Sequence, residues 1–334
     1  MAGMAARAFP LGWLGWRYVE RPFRRRGPEA VWPGTRFLAV SAVGLACFIA
    51  VGGVVHLRPY ALSPLAITDT LINKNAVRSA SWRALLNNPA RTEEMSHFAP
   101  RAAGGTVNVL VAGDSHSKDM FNALALHEDL FPGFAFRQAG INGYCYDKVG
   151  LFGPEPVDVS ACVRDFIEEF DAKTKDADWI LMSVRWSLRA YFVDHLAEMI
   201  SEFEAAGYRV AVAGGAPEFY DSATFMRRLA GRHGESGLDK LLIDAAFTQS
   251  LGQDVIVQNA QIRAIVEGAG GVYLDKFGFS CTAALVLCDA VTVDLQPLRY
   301  DEAHWALAGA QVFAARMARM DWLAPLRGGT IRKN

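Results

Sequence analysis

Two short blocks hold residue types that together can transfer an acyl group. Gly113-Asp114-Ser115-His116 follows the apolar run VNVLVA (107–112). A glycine ahead of a serine, after a buried strand and at the start of a helix, lets the chain turn sharply and exposes the hydroxyl at a helix N-terminus, where the dipole and free N–H groups favour a developing oxyanion. Asp301-Glu302-Ala303-His304 lies near the end of the chain and is expected to open the last helix. A spacing of three would put Asp301 and His304 on one side of its first turn, so that the carboxylate orients one imidazole nitrogen while the other takes a proton from a serine. Ser115, Asp301 and His304 thus make a complete nucleophile, acid and base set. Each block alone is weak, since Asp and Ser are also ordinary helix caps. Asp114, His116, Asp301 and His304 are also donor types for zinc or manganese, which makes a metal site the rival arrangement. The expectation is no metal, with the His116 side chain directed away from Ser115 in a structural role. His56, His97, His127, His195 and His233 belong to no constellation.

The elements that must carry these residues alternate. VNVLVA (107–112), FAFRQA (134–139), WILMSV (179–184), RVAVAG (209–214) and GVYLD (271–275) read as strands, most of them short, rich in β-branched residues and bounded by Gly, Asp or polar residues. Helical patterns fall near 117–128, 162–173, 191–206, 254–268 and 303–320. Alternation of this kind implies an α/β/α sandwich around a parallel sheet, whose sites gather at the carboxyl ends of the strands. Ser115 stands at such an end.

Composition narrows the function classes. The 334 residues are 51% hydrophobic and 21% charged, with a net charge of -1, so the excess of Lys and Arg that nucleic-acid binding requires is missing. Nucleic acid is not an expected partner. The positive mean hydropathy has a local source: FLAVSAVGLACFIAVGGVV (37–55) contains no charge and is long enough at 1.5 Å per residue to cross a bilayer core of roughly 30 Å. Arg17, Arg21, Arg24, Arg25, Arg26 and Arg36 precede it, whereas Arg58 is nearly alone just after it, which predicts a cytoplasmic N-terminus and an extracytoplasmic remainder. The predicted organisation is a basic cytoplasmic segment (1–35), a transmembrane helix (36–56), a stem (57–105), a globular α/β unit (106–325) and a short tail (326–334).

Cysteine usage fits that compartment. Cys47 lies in the span, and Cys145, Cys162, Cys281 and Cys288 lie beyond it. Four cysteines in an oxidising space allow three pairings, of which Cys145–Cys162 and Cys281–Cys288 close the shortest loops, each worth roughly 2 to 4 kcal/mol.

The GDSH block after the first strand and the DxxH block near the last helix resemble the SGNH hydrolase superfamily. More narrowly, the chain is similar to the SGNH domain fused to bacterial acyltransferase-3 membrane proteins that O-acetylate lipopolysaccharide. Trp16-Arg17-Tyr18-Val19-Glu20-Arg21-Pro22-Phe23 resembles the end of that membrane domain; the Arg185-Trp186 pair and the Cys281 to Cys288 loop are similar too. The resemblance implies acyl transfer through an acyl-enzyme on Ser115, with no bound cofactor. It implies an acyl group, acetyl for preference, that originates in acetyl-CoA and arrives through an acyltransferase-3 partner, supplied by a separate chain or by a missing N-terminal part. The acceptor would be a surface or lipid-linked glycan. Gly140, Asn142 and Gly143 are the candidates to complete the oxyanion hole, and Arg185 and Trp186 stand where the family usually has a glycine and an asparagine. An esterase that passes the acyl group to water, and a non-catalytic domain that holds glycan, are the competing readings.

Overall fold

The computed structural model describes residues 74–88, 91, 93–99, 105–141, 158–188, 190–220, 222–234, 237–282 and 287–327, with five isolated positions nearer the N-terminus. The chain divides into two compact units, Met1–Leu62 and Ser63–Asn334. In the first, Trp13, Ala42, Val43, Ala46 and Ile49 are helical and exposed. The rest of the expected span at 37–55 lies outside the described residues, and among those described no helix is long and apolar enough to cross a membrane.

The second unit runs α1 (Lys74–Ala84), β1 (Val107–Gly113), α2 (Ser115–Ala125), β2 (Phe134–Gly140), α3 (Val159–Glu169), α4 (Asp171–Thr174), β3 (Trp179–Ser183), α5 (Ala190–Asp194), α6 (Leu196–Ala205), β4 (Arg209–Ala213), α7 (Ser222–His233), α8 (Lys240–Thr248), α9 (Gln253–Gly268), β5 (Val272–Leu274), α10 (Phe277–Ser280) and α11 (Leu307–Arg319). The five strands are all parallel, in the order β2-β1-β3-β4-β5. This is the α/β architecture that the alternation predicts. Side chains of a strand alternate between faces, and both faces here must be apolar. Leu110, Ala112, Ile180, Met182, Val210 and Val212 pack into one core with Phe166, Phe203 and Ile262 from α3, α6 and α9. Val109, Val111, Leu181, Ala211 and Ala213 pack into the other with Met120, Phe121, Phe313 and Met317 from α2 and α11.

Four features differ from the sequence reading. The expected helix at 191–206 breaks at His195 into α5 and α6. The helices α7 and α8, absent from the sequence reading, build a third apolar cluster from Phe219, Ile243, Phe247 and Val291; it includes Cys281 and Cys288, joined by the disulfide that the sequence reading named. The stretch read as a stem contributes buried Leu85 and Phe98 to the two main cores, and Asn122 Nδ2 donates to the Ser81 carbonyl at 2.8 Å, so α1 is packed onto α2. Finally, the last helix begins at Leu307 instead of 303, because the backbone ahead of it bonds sideways: Tyr300 N–H donates to the His304 carbonyl, and Ala306 N–H to that of Leu298. Those bonds fold 298–306 into a hairpin, so no helical turn can form there.

Candidate active site

β1 is the point at which the sheet order reverses, with β2 on one side and β3 on the other, and its carboxyl end is where such folds open a crevice. Gly113 ends β1 with φ 152°, and a Cβ there would stand 2.1 Å from the Ser183 carbonyl oxygen of β3. Only glycine lets the two strands close at this place. Asp114 then caps α2: its Oδ1 accepts the His116 N–H at 2.9 Å, and its carboxylate also accepts the Arg185 N–H at 3.1 and 3.3 Å. Capping and site-building are here one role, since the cap fixes the first turn and Ser115 with it. The Ser117 N–H goes to the Asp114 carbonyl, and among the described residues no hydrogen bond occupies the Ser115 N–H, which leaves it available to an oxyanion.

His304 Nε2 lies 2.7 Å from Ser115 Oγ, and its Nδ1 lies 2.9 and 3.0 Å from the two oxygens of Asp301. The three residues chosen from the sequence are therefore in one hydrogen-bonded line, although the scaffold is a loop and not the helical turn expected. Asp301 Oδ1 also accepts the N–H groups of Ala303 and His304, at 3.0 and 2.8 Å, so the short turn organises itself around the carboxylate. Burial alone would raise the Asp301 carboxyl, but the hydrogen bond and charge of His304 and the two N–H groups hold it down at about 2. Burial opposes charge on His304 as well, yet its bond to Asp301 and the charges of Asp119 and Asp301 raise it overall. A proton leaving Ser115 thus finds a strengthened base whose tautomer is set by a carboxylate that stays ionised.

Other expected residues take different places. Trp186 is fully buried, donates Nε1–H to the Ala213 carbonyl at 2.9 Å and belongs to the core, so it does not line the site. Arg185 stays beside the site, with Nε and Nη2 both donating to Glu218 Oε2 at 3.1 and 2.6 Å, while Ser187 Oγ donates to Oε1. Its role in the geometry is to pair with a carboxylate. Gly140 is the β2 partner of Gly113, next to the nucleophile turn; Asn142 and Gly143 lie outside the described residues. Cys162 is disulfide-bonded, and Cys145 lies outside the described residues.

His116 does not turn away. It is buried edge-on to the His304 ring at 4.8 Å, and burial, reinforced by the positive neighbours His304, Lys276, Arg185 and Arg299, holds it well below the usual histidine range. It is a neutral wall of the site. Asp114 faces backbone N–H groups and His304 Nε2 faces Ser115, and among the described residues no three His, Cys, Asp or Glu side chains are grouped so as to hold a metal ion.

Three residues escaped the sequence reading. Tyr300 stacks on His304, with ring centroids 5.4 Å apart and planes 7° from parallel. Lys276 is buried and donates to Ser183 Oγ at 2.9 Å, and Ser183 Oγ in turn donates to the His116 carbonyl. Burial lowers this lysine to about 8, opposed by the charges of Asp114, Asp119 and Glu218. Asp119, on the turn of α2 after Ser115, accepts the Trp305 N–H at 2.9 Å. None of the three had a readable signal: Asp119 shares its helix face with Ser115, Lys118 and Asn122 and reads from the sequence as an ordinary polar position. A cleft of about 580 Å³ between α9, β5 and α10, lined by Asn259, Arg263, Tyr273, Asp275 and Phe277 among others, contains none of the Ser115, Asp301 or His304 side chains.

A parallel α/β sandwich with a serine at the first strand's end and a DxxH pair before the last helix defines a serine-hydrolase-type protein of the SGNH class. The chain belongs to the family described as the SGNH domain fused to AT3 domains, which matches residues 85–319. It is similar to the periplasmic domain of a lipopolysaccharide acetyltransferase from Salmonella ser. Paratyphi A, at 14% identity and a TM-score of 0.51, over 75% of this chain and 98% of that one. It is also similar to a GDSL-like lipase from Bacteroides thetaiotaomicron, at 14% identity and a TM-score of 0.38, over 69% of this chain and 94% of that one. No curated protein sequence matches the chain.

Proposed function

We propose that the chain is an extracytoplasmic O-acyltransferase that moves an acyl group, acetyl for preference, onto a hydroxyl of a cell-surface or lipid-linked glycan. The observation that carries this reading is the line from Ser115 Oγ through His304 to Asp301, at 2.7 and 2.9 Å. Ser115 Oγ attacks the donor carbonyl while His304 Nε2 takes its proton. Asp301 stabilises the imidazolium, the Ser115 N–H faces the oxyanion, and the donor's leaving group departs with the proton from His304. A glycan hydroxyl then enters, gives its proton to His304 and attacks the acyl carbonyl; Ser115 leaves and recovers that proton.

The donor is delivered by an AT3 membrane domain, in keeping with the family, whose SGNH domains occur fused to one. The acyl group comes ultimately from acetyl-CoA, and no bound metal or organic cofactor takes part. The basic segment at 1–35 faces the cytoplasm, and 36–56 crosses the membrane and holds the site outside it. Cys145 and Cys162 pair in that oxidising space.

Two measurements test the reading. Ser115→Ala should abolish glycan acylation in cells, and an unchanged acyl content would refute it. Donor-ester turnover should accelerate when the glycan acceptor is added; turnover indifferent to acceptor would make the chain an esterase working through the same three residues.

A further inference from the structure

The hairpin that bears His304 is not itself helical, so contacts with neighbouring segments must hold it at hydrogen-bonding distance from Ser115; one is the Phe219 N–H, which donates to the Glu302 carbonyl at 2.9 Å. Apart from the Ser115 contact itself, the hydrogen bond between that hairpin and the nucleophile helix runs from the Trp305 N–H to Asp119 Oδ2, at 2.9 Å. Ser115 and Asp119 are four residues apart on α2 and so lie on adjacent turns of one face. One rigid helix thereby grips His304 Nε2 with one side chain and the residue after His304 with another.

Asp119 is also 4% exposed, and among the described residues no hydrogen bond reaches its Oδ1. A buried carboxylate with a single backbone partner is an expensive way to tether a loop, since an amide or hydroxyl could accept the same N–H without a charge to desolvate. Its charge calls for a separate explanation, and the adjacent imidazole provides one. We propose that Asp119 is a positioning residue: it clamps the Asp301–His304 hairpin to the nucleophile helix and gives His304 a second negative neighbour, opposite in origin to Asp301.

The surrounding charges are consistent with this role. From its own hairpin His304 faces Asp301 and the stacked ring of Tyr300, from α2 Asp119 and neutral His116, and from the segment after β3 Arg185, whose charge opposes protonation. Asp119 in turn meets His304 and Asp301, with Lys276 just ahead of α10, Lys118 on α2, and Arg299 and Tyr300 at the base of the hairpin. Burial raises Asp119 to about 7, against the pull of His304 and the Trp305 N–H.

This inference rests on the proposed acyl transfer for its purpose, yet its deciding test, the titration, needs no substrate. The His304 imidazole is titrated by NMR in the full chain, with the resonance assigned by its loss in His304→Asn, in wild type and in Asp119→Asn. Asparagine keeps an acceptor for the Trp305 N–H and removes only the charge, so the His304 midpoint should move to lower pH. A midpoint unchanged or higher would overturn the proposal, leaving Asp119 a plain structural tether. If the Asn chain does not fold, Asp119→Ser, smaller and also able to accept, must give the same downward move. Asp119→Ala, which removes the tether too, should lower kcat on the order of a hundredfold with little change in KM. Failure of acyl transfer as the function would appear separately, as wild-type protein that never acquires an acyl adduct.

Discussion

Asp301→Asn keeps the shape of the side chain and removes its charge, and the structure sets what that should cost. The folded chain holds the Asp301 carboxyl at about 2, against 3.8 for an ordinary one. At 1.36 kcal/mol per pH unit the gap favours the folded state by about 2.5 kcal/mol. The side chain is 20% exposed, and solvent screening brings the expected loss to about 2 kcal/mol. The sign follows from the lowered value: the contribution is complete above pH 3.8 and disappears as pH falls through 2. His304 moves the other way, because its value is raised; the stability it gains from Asp301 is complete at mildly acidic pH and is lost as pH rises through its folded midpoint. Urea unfolding of wild type and Asp301→Asn across this range should therefore show the widest gap at mildly acidic pH, where Asp301 is ionised and His304 protonated. The gap should narrow toward alkaline pH and close toward pH 2. A gap of constant size at every pH would refute the reasoning, because it would mean that the substitution disturbs packing and not a charged pair.

Other substitutions probe the frame around the site. Gly113→Ala places a methyl 2.1 Å from the Ser183 oxygen at φ 152°, and thermal unfolding should show a loss of at least about 3 kcal/mol together with loss of ester turnover. Removing the Cys281–Cys288 disulfide by a double Ser substitution reopens a loop of sequence separation 7, and the unfolding free energy should fall by about 2.5 kcal/mol. Peptide mapping without reduction should recover Cys145 joined to Cys162; a free thiol at either would contradict the proposed pairing.

What was legible in the sequence was the part written in local pattern. β1, β3 and β4 are apolar on both faces and stood out as continuous hydrophobic runs, and the GDSH and DxxH blocks named the three residues that the structure brings into line. What was not legible depends on contacts between distant segments. The start of α11 could not be read because Trp305, which looks helical by pattern, spends its N–H on Asp119, 186 residues earlier. Trp186 looked like a site residue beside Arg185, but its indole N–H finds the Ala213 carbonyl inside the core, a bond that no spacing announces. Lys276 was hidden for the same reason, since a lone lysine after a short strand gives no sign that its ammonium lies beneath the nucleophile turn. The start of α2 differs too: His116 was expected to point away from Ser115, yet the hairpin folds over α2 and packs His304 against its ring.

The most direct test of the central claim is the intact mass of the purified chain after incubation with a chromogenic acetyl ester. The account predicts a single acetyl adduct in wild type, absent from Ser115→Ala and formed far more slowly in His304→Asn. An adduct that persists in Ser115→Ala, or wild-type protein that releases chromophore with no dependence on Ser115, would contradict it.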